Sequence, residues 1–572
     1  MYKLARRGFF RKSWHLASDE TLSGSDFDAL AKQLSMDPLL AQKIGFVAAR
    51  QATVVERVET RSAGQETNNT AKVGDWIVTN MTPHGIALRD SSGRLDTYVI
   101  TADVFGRLYE AAGRQSEFGE LFSAKGTVSA IELPGSFDIL APWRERQRGK
   151  AGYLIRNGEE IYGIEKSIFH RTHDIRGPGA LKLLRPGKKR ILSLDGGGVR
   201  GMLTIGFLER LEDQLRKQHS NPKLVLSDYF DMIGGTSVGA ILATQLALGE
   251  TVENVRALFS DWCPDVFRRP AFWRQPLGRI PYIGRLLVPR FDARYLEKML
   301  KQKLGDLRLG SPDLKTGLCI VTKRVDTGSP WVLTNNPRSK FWIGNSERVV
   351  ANKEYRLADV VRASAAAPHY FKPHKIRIAL DKKEKHGLFV DGAVSPYNNP
   401  ALQMFMLAGI GGYGLDWSLG EDNLFIVSIG TGGYRLRSDG RGISAEQAVT
   451  ALSGVIGDGE ALTLTLLQWM SASRNAWKIN SEIGDLSDNY LGQRQGLSKP
   501  LLRFRRYDAP LEADWLKEHL KREMSASELD SLRDFTNPQN ARKLYEIGSD
   551  AARNQVQRDH LPDDFKVDAA SM

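Results

Sequence analysis

The sequence predicts an α/β fold: a mostly parallel sheet flanked by helices, preceded by a small α+β domain. Three segments carry that prediction, because each reads as a strand running into a glycine-rich turn. They are Asp195-Gly196-Gly197-Gly198-Val199-Arg200-Gly201, Gly235-Thr236-Ser237-Val238-Gly239 and Asp391-Gly392-Ala393. The first two turns lead on into helical patterns, the alternation from which parallel sheets are built.

The first element is the strand 189–194, Lys-Arg-Ile-Leu-Ser-Leu. Residues 202–218 follow as an amphipathic helix with Leu203, Phe207, Leu208, Leu211 and Leu215 on one face. The run between them fits G-x-G-x-x-G, so a dinucleotide site is one reading. Asp195 would set a carboxylate beside the pyrophosphate, and no acidic residue closes a second strand about 20 positions on. The alternative is an oxyanion hole in which Gly196, Gly197 and Gly198 let backbone N–H groups approach a reacting carbonyl, one such donor contributing about 3 kcal/mol. Arg200 either anchors this loop or holds a lipid phosphate, and Gly201 opens the helix.

In the second element, the aromatic and apolar run 229–233 reads as a buried strand ended by Gly234-Gly235, and 240–248 as a buried helix stopped by Gly249. Ser237 then stands on a tight strand-to-helix turn. Gly235 and Gly239 remove side chains that would collide there, and the helix N-terminus favours developing negative charge. The chemistry this describes is nucleophilic attack by a serine. In the third element, the strand 387–390 delivers Asp391 to a sheet edge, with Gly392 and Ala393 forming the turn. An aspartate so placed can serve as a base.

The order D-G-G-G-x-R-G, G-T-S-x-G, D-G-[AG] resembles the patatin-like phospholipases. Val361-Arg362-Ala363-Ser364-Ala365-Ala366-Ala367-Pro368 and Phe425-Ile426-Val427-Ser428-Ile429-Gly430-Thr431-Gly432 resemble further segments of that family. The resemblance covers roughly residues 188–435. It implies a Ser–Asp dyad without histidine, with Ser237 as nucleophile, Asp391 as general base and the glycine loop as oxyanion hole. It also implies a phospholipid or other acyl-lipid substrate and no cofactor or metal. A Ser–His–Asp triad is the alternative from the residues themselves, with His369, His374 and His386 as candidates. His386 sits in the charged run 381–386, which reads as a solvated hairpin tip.

Composition sets the remaining bounds. The chain has 572 residues, 41% hydrophobic and 26% charged, which fits two or three soluble domains. No apolar run is long enough to span a bilayer. Cys263 and Cys319 give neither a disulfide framework nor a metal set, so a reducing cytoplasm is expected. Met1-Tyr2-Lys3-Leu4-Ala5-Arg6-Arg7 is read as a short basic arm, since it lacks a continuous apolar core. Net charge is +13, which favours anionic surfaces, and with no nucleic-acid motif in the chain a membrane is the expected partner. Arg268, Arg269, Trp273 and Arg274 open a stretch to residue 291 in which arginines alternate with aromatic residues and prolines. That composition suits peripheral contact with an anionic membrane.

Residues 1–180 are expected to form the small α+β domain. Tyr-x-Ile-x-x-x-x-Phe occurs at 98–105 and again at 162–169, each time after an apolar run, which predicts a duplicated hairpin-plus-helix unit. Gly74-Asp75-Trp76-Ile77-Val78 resembles small bacterial PGDYG-type domains. Residues 188–435 form the hydrolase core and 436–572 a helical C-terminal part, with a late strand at 500–507. Three functional readings follow: a lipid acyl hydrolase, a hydrolase gated by a ligand or partner through its N-terminal domain, or a non-catalytic lipid-binding protein.

Overall fold

The computed structural model describes residues 3–4, 14–44, 46–62, 65–81, 87–89, 95–142, 144, 146–268, 290–343, 349–379, 385–434, 444–472, 486 and 499–567. The chain forms two compact units, residues 1–177 and 178–572.

The strands of the first unit are, in chain order, β1 (Lys3–Leu4), β2 (His15–Thr21), β3 (Leu39–Lys43), β4 (Phe46–Gln51), β5 (Glu56–Ser62), β6 (Gln65–Ala71), β7 (Trp76–Asn80), β8 (Thr97–Ile100), β9 (Tyr109–Ser116), β10 (Gly119–Ala124), β11 (Thr127–Leu133), β12 (Ser136–Leu140), β13 (Arg146–Gly149), β14 (Gly152–Asn157), β15 (Glu160–Glu165) and β16 (His173–Arg176). Two antiparallel sheets, ordered β8-β7-β4-β10-β9 and β15-β14-β11-β3-β16, make up most of it. The hairpin β7–β8, the helix Ala102–Leu108 and β9 recur as β14–β15, the helix Lys166–Thr172 and β16. Phe105 stacks on Trp76 and Phe169 on Tyr153, both with ring centroids 4.0 Å apart. The repeated aromatic positions are therefore the two helix-to-sheet contacts of a duplicated unit. The sequence echo did not reveal how the second sheet is completed. There β3, from ahead of the first copy, takes the place that β10 takes in the first sheet.

The second unit is a sheet between two helical layers. Its strands are β17 (Lys189–Leu194), β18 (Met232–Thr236), β19 (Gly317–Arg324), β20 (Ser329–Thr334), β21 (His374–Arg377), β22 (His386–Asp391), β23 (Leu424–Ile429) and β24 (Arg503–Tyr507). The order β21-β22-β19-β18-β17-β23-β24 has parallel pairing from β19 to β24, with β20 and β22 antiparallel to β19. Alternate residues of each central strand enter opposite cores. Leu192, Ile233, Leu318 and Val427 face the helices Gly201–Gln218, Val238–Ala247 and Val252–Val266. Ile191, Met232, Cys319 and Ile426 face the helices Ala401–Gly409 and Ser444–Trp469. Burial on both faces explains why these strands read as continuous apolar runs.

Two local expectations change. The strand expected at 229–233 begins only at Met232, because Leu226–Tyr229 forms one helical turn in which the Asp228 carboxylate accepts from the Val225 N–H at 3.0 Å. The strand also continues through Gly234 and Gly235 to Thr236. A Cβ at Gly234 would lie 2.6 Å from Met404 Sδ, so the glycine serves close packing rather than strand termination. The C-terminal region contributes β24 to the sheet as well as the helices Ala513–Leu520, Ala526–Arg533 and Ala541–Gln555.

Candidate active site

β18 pairs with β19 up to Thr236 opposite Val321, and β22 pairs with the same strand up to Asp391 opposite Thr322. Since β20 occupies the other edge of β19, β18 and β22 meet end to end along one edge. That junction brings two residues far apart in sequence together. Ser237 Oγ donates a 2.6 Å hydrogen bond to Asp391 Oδ2, and Asp391 Oδ1 accepts from the Ala393 N–H at 2.9 Å.

Ser237 has φ 57° and ψ −121°, a strained conformation for a residue with a side chain, costing about 1–3 kcal/mol. The surroundings impose it. Its N–H donates to Ser364 Oγ at 2.9 Å, and Ser364 Oγ donates to the Val321 carbonyl at 2.6 Å. A Cβ on Gly235 would lie 2.1 Å from the Gly239 carbonyl carbon, and one on Gly239 would lie 2.2 Å from the Leu194 carbonyl oxygen. Gly392 is held equally close, its Cβ position 2.4 Å from the Val321 oxygen, and Gly201 abuts Val238. The glycines around the serine and the aspartate are thus required by backbone packing.

Burial raises the Asp391 carboxyl to about 6, outweighing the hydrogen bonds from Ser237 and Ala393 and the nearby Arg362 charge, which act downward. A carboxylate at that value is a stronger base than a solvated aspartate and is still ionised at neutral pH.

The glycine loop lies beside this pair, the Cβ position of Gly196 being 3.2 Å from Ser237 Cβ. Its amides are not equivalent. The Gly196 N–H donates to the Asn398 carbonyl at 3.1 Å, whereas those of Gly197 and Gly198 have no acceptor among the described residues. Gly198 has φ 57°, and a Cβ there would lie 2.3 Å from the Phe535 oxygen. At Gly197 a Cβ would meet Thr431 Oγ1 at 2.3 Å, so bulk at this position strikes Thr431. Arg200 acts as an anchor: its Nη1 donates to the Gly432 carbonyl at 2.9 Å and its guanidinium lies over the Tyr434 ring.

Ser237, Asp391 and the three glycines line one cavity of about 370 Å³. Its further wall is largely apolar and includes Ile241, Phe259, Trp262, Val266 and Leu296. The volume is that of a small-ligand site. Each methylene buried in such a wall contributes about 0.8 kcal/mol, so this term would dominate the binding of any apolar chain that enters.

Of the candidate histidines, His369 lines the cavity, His374 Nε2 is 3.0 Å from Asp359 Oδ1, and His386 is exposed at the start of β22. Among the described residues, the side chain that bonds Ser237 Oγ is Asp391 alone. Arg268 is exposed, while Arg269, Trp273 and Arg274 lie outside the described residues. Among the described residues no group of His, Cys, Asp and Glu could hold a metal ion.

Sequence reasoning did not single out Ser364, Asn398, Thr431 or Arg506. Ser364 and Thr431 do fall in the two further segments that resembled the family. Asn398 and Arg506 reach the site only through the tertiary fold.

The site is thus a strained serine on a strand-to-helix turn of an α/β unit, bonded to a buried carboxylate, beside two glycine amides that have no acceptor among the described residues. The chain matches the family model described as patatin-like phospholipase over residues 192–405. It is 30% identical to Patatin-07 of Solanum tuberosum over 249 residues, 42% of this chain and 60% of that protein. It is 29% identical to the cGAMP-activated phospholipase of Escherichia coli (strain TW11681) over 308 residues, 53% of this chain and 78% of that one. Human GIVD cytosolic phospholipase A2 aligns over 91% of this chain and 96% of its own at 11% identity, with a TM-score of only 0.33. The chain thus spans less than two thirds of the length of the potato patatin it matches.

Proposed function

We propose that this protein hydrolyses acyl esters of lipids, phospholipids first among them, with a Ser237–Asp391 dyad. The observation that carries the reading is the 2.6 Å bond from Ser237 Oγ to a buried aspartate, both lining a largely apolar cavity. Ser237 Oγ attacks the ester carbonyl carbon while its proton passes to Asp391 Oδ2. The carbonyl oxygen becomes an oxyanion facing the Gly197 and Gly198 N–H groups. Gly196 was expected as a third donor, but its amide is already engaged by Asn398. Collapse breaks the C–O ester bond, and the leaving alcohol takes the proton from Asp391. Water then attacks the acyl-serine, giving a proton to Asp391, and the serine leaves with it as free acid is released.

The bonded dyad speaks against a purely lipid-binding role, for which neither side chain is needed. Peripheral contact with an anionic membrane belongs to the same proposal and is supported by the net charge of +13. It is supported further by Val455, Leu462 and Trp469, which are exposed at intervals of seven along the helix that lines the cavity through Ile456 and Glu460. Among the described residues no helix is long and apolar enough to cross a membrane. A cytoplasmic location is consistent with two buried free thiols. A regulatory addition to this reading is that the first unit, residues 1–177, gates the hydrolase. Comparing the full chain with residues 178–572 tests that addition.

The reading is tested by incubating the protein with mixed-lipid vesicles and analysing the lipids by mass. Free fatty acid with matching lysolipid is expected from the native protein and not from Ser237→Ala. An unchanged lipid profile with the native protein would refute it.

A further inference from the structure

Asp195, the first residue of the glycine loop, is buried and carries no role in the chemistry above. Its Oδ2 accepts a 2.7 Å bond from Arg506 Nη2, 311 residues away on β24. Arg506 Nη1 donates to Ser428 Oγ on β23 at 2.8 Å. Nη2 also reaches Asp508 Oδ2 at 3.3 Å and Glu460 Oε1 on the long helix Ser444–Trp469. Asp508 in turn accepts from the Gly432 N–H at 2.8 Å and the Gly433 N–H at 3.3 Å. The 431–433 turn closes the circuit back to the glycine loop. Thr431 Oγ1 donates to the Gly196 carbonyl at 2.8 Å, and Arg200 bonds the Gly432 carbonyl.

We propose that Arg506 is the positioning residue of the oxyanion hole. It holds the glycine loop at Asp195 and, through Asp508, holds the turn against which Gly197 rests. The inference depends on the reading of the Gly197 and Gly198 amides as oxyanion donors.

The cluster is poorly arranged for stability alone. One guanidinium faces three carboxylates, while Asp195 Oδ1 and Arg506 Nε are buried without a partner among the described residues. Buried ion clusters of this kind contribute little net stability, and retaining one is better explained by the geometry it enforces. The geometry is also particular to arginine. Nη1 and Nη2 bond Ser428 and the carboxylates from two separated points of one rigid planar fork, a spacing that the compact ammonium of lysine does not reproduce. A loop displaced by about 1 Å from productive geometry loses roughly a hundredfold in rate.

The test uses the full chain and a soluble short-chain ester, with active sites titrated by a fluorophosphonate that labels Ser237. Arg506→Lys is expected to lower kcat per titrated site at least about thirtyfold. Its rate of phosphonylation should fall by a similar factor, because the phosphoryl oxygen uses the same donors. KM and the pH midpoint of activity should stay within about twofold, since neither the cavity wall nor Asp391 has changed. If Arg506→Lys does not fold, Asp508→Asn carries the test. It keeps the Asp195–Arg506 bond but loosens the 431–433 turn, and it should show the same pattern at smaller size. Fewer titrated sites with a normal rate per site, in whichever of these variants folds, would mean a structural role and overturn the proposal. Wild-type rates in Gly198→Ala beside a slowed Arg506→Lys would instead sink the oxyanion reading of the loop, and this inference with it. A native protein that neither hydrolyses the ester nor becomes labelled refutes the proposed function itself.

Discussion

Ser237 and Asp391 share a 2.6 Å hydrogen bond across 154 residues because two strands abut. β18 approaches along one edge of β19 and stops at Thr236, while β22 approaches along the same edge from the other direction and stops at Asp391. The residues at those two ends must face each other. Each strand end is fixed by a glycine with no room for a Cβ, Gly235 just before Thr236 on one side and Gly392 just after Asp391 on the other. The pairing of Ser237 with Asp391 is therefore a property of the sheet.

Replacing Asp391 by asparagine should abolish hydrolysis and leave the protein at least as stable at pH 8. The folded carboxyl is raised to about 6 from an ordinary 3.8. The native state thus holds a proton that the unfolded chain has already lost between those values. Stability falls as pH rises through that window and is flat above it, a cost of at most about 3 kcal/mol. Asparagine carries no such cost. Urea unfolding at pH 8 should favour the variant, and the difference should shrink towards pH 3.5. A variant less stable than the native protein at pH 8 would contradict this account of the buried carboxylate.

The pH dependence of kcat/KM should show one rising limb with its midpoint near 6, as Asp391 loses its proton and becomes a competent base. Among the histidines the decisive variant is His369→Ala, since His369 lines the cavity. His369→Ala, His374→Ala and His386→Ala should each keep most activity and the same midpoint. Loss of activity in a folded His369 variant would point to imidazole catalysis.

Gly197→Val should lower turnover at least about a hundredfold, on the order of one oxyanion donor. The cause is indirect: the new side chain meets Thr431, which the glycine loop must then yield to. Gly198→Ala should act similarly, since φ is positive there and the Phe535 carbonyl fills the Cβ position. Steady-state kinetics on a soluble ester decide the matter, and normal turnover in both variants would reduce the run to a hinge.

Much of this site was legible in the sequence because steric need is local. A serine on a tight turn demands small neighbours, and the flanking strands of the second unit are apolar because both their faces are buried. The supporting set was not legible. Arg506 lies in an arginine-rich strand with no local mark of its role, and only the parallel pairing of β24 with β23 carries it to Asp195. Asn398 reaches Gly196 through a backbone carbonyl, which no side-chain pattern encodes. The aromatic run before Met232 misled for a related reason, since Tyr229 ends a buried helical turn and Phe230 is its C-cap. In the first unit the echo marked the repeated hairpin and helix, but a strand borrowed from ahead of the repeat has no signature in the repeat itself.

Binding to anionic vesicles should exceed binding to zwitterionic ones and weaken as salt rises. Each basic residue near the surface contributes about 1 kcal/mol, screened over about 8 Å at physiological salt. Changing Arg268, Arg269 and Arg274 together to glutamine should remove much of the preference, and changing Val455, Leu462 and Trp469 together to serine should weaken binding to both vesicle types. Both variants should keep hydrolysis of a soluble ester. Co-sedimentation at two salt concentrations measures this, and unchanged binding in both variants would show that neither surface meets the membrane.

The dyad itself is tested most directly by trapping the acyl intermediate. The protein is mixed with a slowly deacylating ester, quenched in acid, digested and analysed by mass spectrometry. A mass increase equal to the acyl group less one hydrogen, located on Ser237, is predicted for the native protein and is absent from Ser237→Ala and Asp391→Asn. Acyl transfer to another residue, or ester hydrolysis by Ser237→Ala at the native rate, would contradict the assignment of Ser237 as nucleophile and Asp391 as its base.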